Sequence, residues 1–158
     1  CLDLVEGFFT QLNKNTGVQV IDVGCGSGIL SIAALKLGAE KALGVDIDAE
    51  AIRASRDNAS INGVSNQLEM GIGSVMEIKS ADFSIQKAQL VLANILAPVL
   101  VQLLTQGLGE LVYPGGWLIL SGILLEQSPE VESALDTHGF RLVQKCFMGD
   151  WVALAATH

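Results

Sequence analysis

The chain has 158 residues, half of them hydrophobic and 16% charged, with a net charge of −8 at pH 7. That composition describes a single globular domain long enough to bury a core and excludes a disordered segment. Nine scattered basic residues against seventeen acidic ones disfavour direct binding to nucleic acid, whereas an acidic domain suits a basic protein partner.

The chain starts at Cys1, directly in an amphipathic pattern, as expected of a fragment whose N-terminal part is missing, and residues 1–20 read as no signal-type start. Leu2, Val5, Phe9 and Leu12 recur at helical spacing, with Phe8 alongside, and Asn15-Thr16-Gly17 closes this helix with turn chemistry. A β-branched run at residues 18–23 predicts the first strand. The glycine turn Gly24-Cys25-Gly26-Ser27-Gly28 follows, then an apolar helix over residues 29–37 capped by Gly38. Residues 42–46 predict the second strand. Asp48 is a natural N-cap for the next helix, which Asn62-Gly63 stops. Residues 67–73 predict a third strand, and residues 74–87 a loop or irregular helix.

Residues 90–93 form a fully apolar fourth strand ending at Asn94, and Pro98 marks the start of a helix running towards Leu111. Residues 88–109 carry no charge, but their polar residues and Pro98 break the run into strand and helix, so no membrane span is expected. Pro114-Gly115-Gly116 turns into a fifth strand at residues 117–121. A helix spans about residues 129–137 and is closed by His138-Gly139; a hairpin ends the chain, its strands at 140–147 and 151–156 joined by a Met148-Gly149-Asp150 turn. Alternating strands and helices predict a doubly wound, Rossmann-like α/β fold, mostly parallel, with the hairpin adding an antiparallel strand at one side.

Ligands of such sheets bind beyond the carboxyl ends of the strands. Gly24 to Gly28, Asp46, Gly73-Ser74, Asn94 and Ser121-Gly122 all fall at such ends. The glycine turn opens a helix, whose first N–H groups are free to meet a ligand. A dinucleotide fingerprint needs G-x-G-x-x-G, but Ile29 stands where its third glycine belongs; the glycines here are Gly24, Gly26 and Gly28. Asp46, about 20 residues beyond the first glycine, suits both hydroxyls of a ribose, a feature common to NAD and S-adenosylmethionine sites. Ile47 beside it could pack on an adenine. Asp46 could instead cap the next helix, a role Asp48 fills better. Asp22 either contacts a cofactor through water or braces the turn.

At this point a family resemblance becomes visible. DVGCGSG with VD at the end of the second strand resembles class I S-adenosylmethionine-dependent methyltransferases. Residues 24–39, Gly44 to Asp48, Ala54-Ser55-Arg56-Asp57-Asn58-Ala59, Ala93-Asn94-Ile95-Leu96-Ala97 and Leu120-Ser121-Gly122-Ile123-Leu124 resemble the ribosomal protein L-eleven methyltransferase (PrmA-like) family over almost the whole chain. The resemblance implies a seven-stranded sheet and S-adenosylmethionine as cofactor. The glycine turn would hold its methionine part, Asp46 its ribose, and Asn94 would lie beside the transferred methyl. Ser74 stands where class I enzymes often place an acid on the adenine amino group. It also implies methylation of lysine side chains and an N-terminal amine of one ribosomal protein. Residues 1–158 would be the cofactor-binding domain, separate from an N-terminal substrate-recognition domain and from a glycine- and threonine-rich covering segment. A small-molecule methyltransferase, an NAD-type binder and a non-catalytic cofactor-binding domain are the alternatives.

The remaining candidates read as structural. Cys1, Cys25 and Cys146 form no CxxC or other metal-ligand spacing, so no metal is expected and a reducing, cytoplasmic compartment is the simplest reading. Cys25 reads as packing rather than a nucleophile. His138 and His158 read as cap or surface groups, and Trp117 and Trp151 as core.

Overall fold

The computed structural model of the chain describes residues 1–11 and 17–158. One sheet runs in the order β3-β2-β1-β4-β5-β7-β6, from β1 (Gln19–Val23), β2 (Lys41–Asp46), β3 (Leu68–Ile72), β4 (Ala88–Asn94), β5 (Val112–Leu124), β6 (Arg141–Met148) and β7 (Trp151–Thr157). β1 to β5 are parallel, and β7 is antiparallel to both β5 and β6. This is the expected doubly wound fold, with the hairpin inserting β7 between β5 and the edge strand β6.

Successive strand residues point to opposite faces, and this period of two sorts the core into two layers. Ile21, Val23, Leu43, Val45, Val91, Ala93, Leu118 and Leu120 face one layer, with residues of α4 (Val75–Lys79), α5 (Ala97–Thr105) and α6 (Ser128–Thr137). Val20, Ala42, Leu90, Leu92 and Ile119 face the other, with α1 (Leu2–Gln11), α2 (Ile29–Leu37) and residues of α3 (Ala49–Ile61). Asp22, Gly44 and Asp46 share the parity of Val20 and Ala42. Their side of the sheet is therefore the one where the glycine turn and α2 sit.

Local chemistry explains the element ends. Asp48 is the N-cap of α3, its carboxylate accepting from the Glu50 N–H at 2.9 Å. Gly38 ends α2 with φ +118°, a conformation that favours glycine. The unassigned 74–87 stretch contains α4, opened by a capping box in which the Ser74 N–H donates to Glu77 Oε2 at 2.8 Å.

Several expectations need correction. The buried face of α1 is Leu4, Val5 and Phe8, while Leu2 is 45% exposed and Phe9 half-buried. Phe8 sets this orientation by packing edge-on against Trp117 and Phe9. Leu12, Asn15 and Thr16 lie outside the described residues. The α5 helix stops at Thr105 because Gly107 adopts φ +101°, and a 3-10 turn covers Leu108–Leu111. Pro114-Gly115-Gly116 is a bulge within β5 rather than a turn before it, since Val112 already pairs with Ala88 and Trp117 resumes at Leu90. Gly116 fits there because a Cβ would meet the Gln89 carbonyl at 2.7 Å. Trp117 is core, but Trp151 is 47% exposed, because at the hairpin end of β7 it faces an open cavity. Among the described residues, no helix is long and apolar enough to cross a membrane.

Candidate functional site

The order reversal of the sheet falls at β1, between β2 and β4, and the strand ends there meet the glycine turn. Gly24, Gly26 and Gly28 have φ of +72°, +54° and +77°. Each position is left without a side chain for its own reason. A Cβ on Gly24 would strike Ile95 Cγ2 at 2.9 Å, and one on Gly28 would meet Ser55 Oγ at 3.0 Å. A Cβ on Gly26 would meet nothing within 4 Å, so the turn is open there.

The polar groups of the turn are held from several sides. The Gly24 and Cys25 N–H groups donate to the Val45 carbonyl at 2.8 and 3.0 Å. The Gly26 N–H donates to Asp46 Oδ2 at 2.9 Å, and Asp46 Oδ1 accepts from the Asp48 N–H at 3.0 Å. Asp46 thus ties the turn to the end of β2 with one lone pair per oxygen, leaving the others for a ligand. Ile47 next to it is 81% exposed. Gly73 donates to the Asp46 carbonyl at 3.0 Å, which brings the Ser74 cap to the same rim.

Asp22 lies beneath the turn and is fully buried. Its Oδ2 accepts from the Ser31 N–H at 3.1 Å and the Ser31 hydroxyl at 2.7 Å, while Oδ1 has no partner among the described residues. Burial pushes its carboxyl up to about 6; the Ser31 hydrogen bonds pull the other way and Asp46 adds a little repulsion. These bonds tie β1 to the first turn of α2, just beyond the glycine turn. Cys25 is buried beside Ser55, its thiol pushed up to about 12 by burial first and Asp22 second. A neutral, enclosed thiol is a packing group, as expected.

On the other side of the switch point, Asn94, the last residue of β4, pairs with Ser121; β5 runs on past the expected end at residue 121 to Leu124. The Ser121 hydroxyl donates to Asn94 Oδ1 at 2.9 Å. Gly122, at φ +80°, allows this closeness, since a Cβ would lie 2.9 Å from the Ile95 carbonyl and 3.2 Å from Asn94 Oδ1. Asn94 is exposed and borders an open cavity of about 850 Å³, walled by Ile29, Leu96, Phe147, Met148 and Trp151. Among the described residues, no group of three or more His, Cys, Asp or Glu side chains is placed to hold a metal ion.

The family profile described as "Ribosomal protein L11 methyltransferase (PrmA)" matches residues 1–158. The chain belongs to this family. A curated relative, the ribosomal protein L11 methyltransferase of Pseudomonas paraeruginosa, is 49% identical over 138 residues, which cover 87% of this chain and 43% of the relative. The chain therefore spans less than half the length of that relative. The crystal structure of a ribosomal protein L11 methylase from Lactobacillus delbrueckii subsp. bulgaricus superposes with a TM-score of 0.83 at 35% identity, covering 99% of this chain and 79% of that one. An RNA methyltransferase from Salinibacter ruber, solved with S-adenosyl-L-homocysteine, has a TM-score of 0.71 at 20% identity over 98% of this chain and 87% of its own, a likeness of fold.

The PrmA-type chain brings Asp22, Gly24, Gly26, Gly28 and Asp46 together at one end of β1 and β2, with Gly26 bonded to Asp46 and with Ile47 and Ser74 nearby. Asn94 sits across the switch point with Ser121. Four participants carried no assigned role in the sequence reading. Ser31 holds Asp22, Ser121 holds Asn94, and Ser55 and Asn58 reach the glycine turn from α3. All four lie in blocks that carried the resemblance. Ser31 also left a local trace: a hydroxyl in the otherwise apolar start of α2.

Proposed function

We propose that this chain is the cofactor-binding and catalytic unit of an S-adenosylmethionine-dependent protein methyltransferase, acting in the cytoplasm on lysine side-chain and N-terminal amines of a ribosomal protein. The observation that carries the cofactor reading is the bond from the Gly26 N–H to Asp46. A pyrophosphate would need that N–H and would meet the charges of Asp46 and Asp22. A ligand with an ammonium, a sulfonium and ribose hydroxyls is favoured by both carboxylates. The open face at Gly26 and the unpartnered Asp22 Oδ1 fit such a ligand, the latter as an acceptor reached through water from its amino group. In this reading Asp46 accepts from the ribose hydroxyls, Ile47 covers the adenine and Ser74 borders it.

When bound, the cofactor would supply an electrophilic methyl group on positively charged sulfur, which would keep the C–S electron pair as an amine lone pair takes the methyl. The amine must first be neutral. At a reference pKa of about 10.4, deprotonating lysine costs about 4–5 kcal/mol at pH 7, and bulk water takes that proton. Asn94 Oδ1, turned by Ser121 and keeping a second lone pair, accepts a hydrogen bond from the neutral amine and aims its lone pair. The exposed apolar cavity beside Asn94 suits the aliphatic stem of a lysine. Substrate recognition is assigned to a part of the protein outside residues 1–158.

Calorimetric titration with S-adenosylmethionine, S-adenosylhomocysteine and NAD tests the cofactor. Binding of the first two and not of NAD is expected, and NAD binding alone overturns the reading. Mass spectrometry of ribosomal proteins incubated with the intact protein and cofactor tests the substrate: added methyl groups are expected on amines of one protein.

A further inference from the structure

We infer that Ser55 and Asn58 are positioning residues: a clamp on α3 that fixes two carbonyls of the glycine turn and so aims the Ser27 N–H at the cofactor. Ser55 is fully buried, and its hydroxyl donates to the Gly26 carbonyl at 2.7 Å. Asn58 stands one turn further along the helix, on the same face, and its Nδ2 donates to the Ser27 carbonyl at 2.9 Å. Asp46 and Val45 hold N–H groups of the same turn, so its donors are tied to the sheet and its acceptors to α3.

The consequence follows from peptide geometry. Gly26 C=O and Ser27 N–H belong to one planar trans unit and point in opposite directions. With the carbonyl drawn to Ser55, the Ser27 N–H must point away from α3. Among the described residues it has no acceptor, and it lies next to Gly26, where a Cβ would find open space. Three of the five turn residues, Gly24, Gly26 and Gly28, are glycines at positive φ, whose backbone resists rotation poorly by itself. Without the clamp, the 26–27 peptide could flip and present a carbonyl where the ligand's acceptor groups belong. Gly28 fits the same design, because only a residue without Cβ lets Ser55 approach this closely. Cys25, whose Sγ lies 3.7 Å from Ser55 Oγ, fills the space behind.

The ligand part of this inference rests on the proposed cofactor; the clamp itself does not. The test therefore uses two readouts on the intact protein and its Ser55→Ala and Asn58→Ala variants. Amide ¹⁵N relaxation of residues 26–28 without ligand reads the order of the turn. Calorimetry with S-adenosylhomocysteine, with the Ser27 amide shift followed during titration, reads the aim. Expected are a loosened turn in both variants, affinity reduced about tenfold in Ser55→Ala and about threefold in Asn58→Ala, and loss of the large Ser27 shift in Ser55→Ala. Ser55→Thr, which keeps the hydroxyl, should retain the Ser27 shift even where its extra methyl lowers stability. If Ser55→Ala does not fold, Asn58→Ala decides by the order of the turn alone. A turn as ordered as wild type in the variants, or binding with an unchanged Ser27 shift, overturns the clamp. A wild-type protein that binds no S-adenosylhomocysteine, while its variants show a loosened turn, overturns the cofactor reading and upholds the clamp.

Discussion

The Ser121 hydroxyl donates to Asn94 Oδ1 at 2.9 Å, joining the last residue of β4 to its parallel partner within β5. It fixes the plane of an exposed amide that would otherwise rotate. A neutral hydrogen bond of this kind is worth about 1 kcal/mol, and misaligning a positioned reactant costs about a hundredfold in rate. Ser121→Ala is therefore expected to lower methyl-transfer turnover about fivefold and Asn94→Ala about a hundredfold. Steady-state kinetics on the intact protein checks this, and wild-type turnover by Asn94→Ala would remove Asn94 from the mechanism.

Gly122 makes that approach possible. An alanine there would be strained at φ +80° and would press on the Ile95 carbonyl. Gly122→Ala should cost about 1–3 kcal/mol in chemical denaturation and displace Asn94, lowering turnover more than cofactor affinity. A variant as stable and as active as wild type would contradict the assigned contact.

Asp46 spans the glycine turn and the start of α3 through its two backbone bonds. Hydrogen bonds to a charged group are worth about 1.5–3 kcal/mol each. Asp46→Ala should weaken S-adenosylmethionine binding about a hundredfold, and Asp46→Asn by less, since an amide keeps one acceptor oxygen. Calorimetry measures both, and unchanged affinity in Asp46→Ala argues against any ribose contact.

Asp22 makes stability depend on pH in an unusual direction. Its folded pKa is raised from 3.8 to about 6 by burial. The folded state therefore holds this proton more tightly than the unfolded chain does. Its contribution is most favourable below pH 4 and declines as pH rises through 6, by about 3 kcal/mol in all. Asp22→Asn, which carries no charge, should remove this decline, so that the variant gains stability relative to wild type between pH 4 and 6 in urea denaturation. It should also bind the cofactor more weakly. A variant-minus-wild-type difference that stays flat over that range would show that the carboxyl is not shifted.

Cys25 is enclosed and neutral, whereas Cys1 and Cys146 are half-buried at the cavity wall. Iodoacetamide at pH 8 should label Cys1 and Cys146 in the native protein and reach Cys25 only after unfolding, as read by peptide mass spectrometry. Labelling of native Cys25 at a comparable rate would mean that the turn opens far more readily than its bonds imply.

Much of the fold was legible because its signals are local. Asp48, Gly38 and Asn62-Gly63 mark helix ends through their own side chains or backbone freedom, and the apolar runs at residues 18–23, 42–46 and 90–93 mark strands. The misplacements arose where a distant partner decides. Leu2 and Phe9 fit a helical stripe, but Phe8 packs on Trp117, more than a hundred residues away, and that contact selects the buried face. Pro114-Gly115-Gly116 has the composition of a turn, yet pairing of Val112 with Ala88 makes it a bulge. Trp151 has the character of core, but its place at the hairpin end leaves it facing the cavity.

By itself, the sequence determined the alternating α/β architecture, the glycine turn at a helix start and the acidic residue closing the second strand. It did so because spacing, periodicity and turn chemistry operate between near neighbours. Only the tertiary structure decided which partners those residues have. The topology of the sheet, with β1 between β2 and β4, brings Asp46 onto the Gly26 N–H and the Asn94 strand end alongside the turn. Helix packing then carries Ser55 and Asn58 onto the turn from behind. Hydrogen bonds depend on distances of about 3 Å, and for residues far apart in the chain those distances are set by how the layers pack.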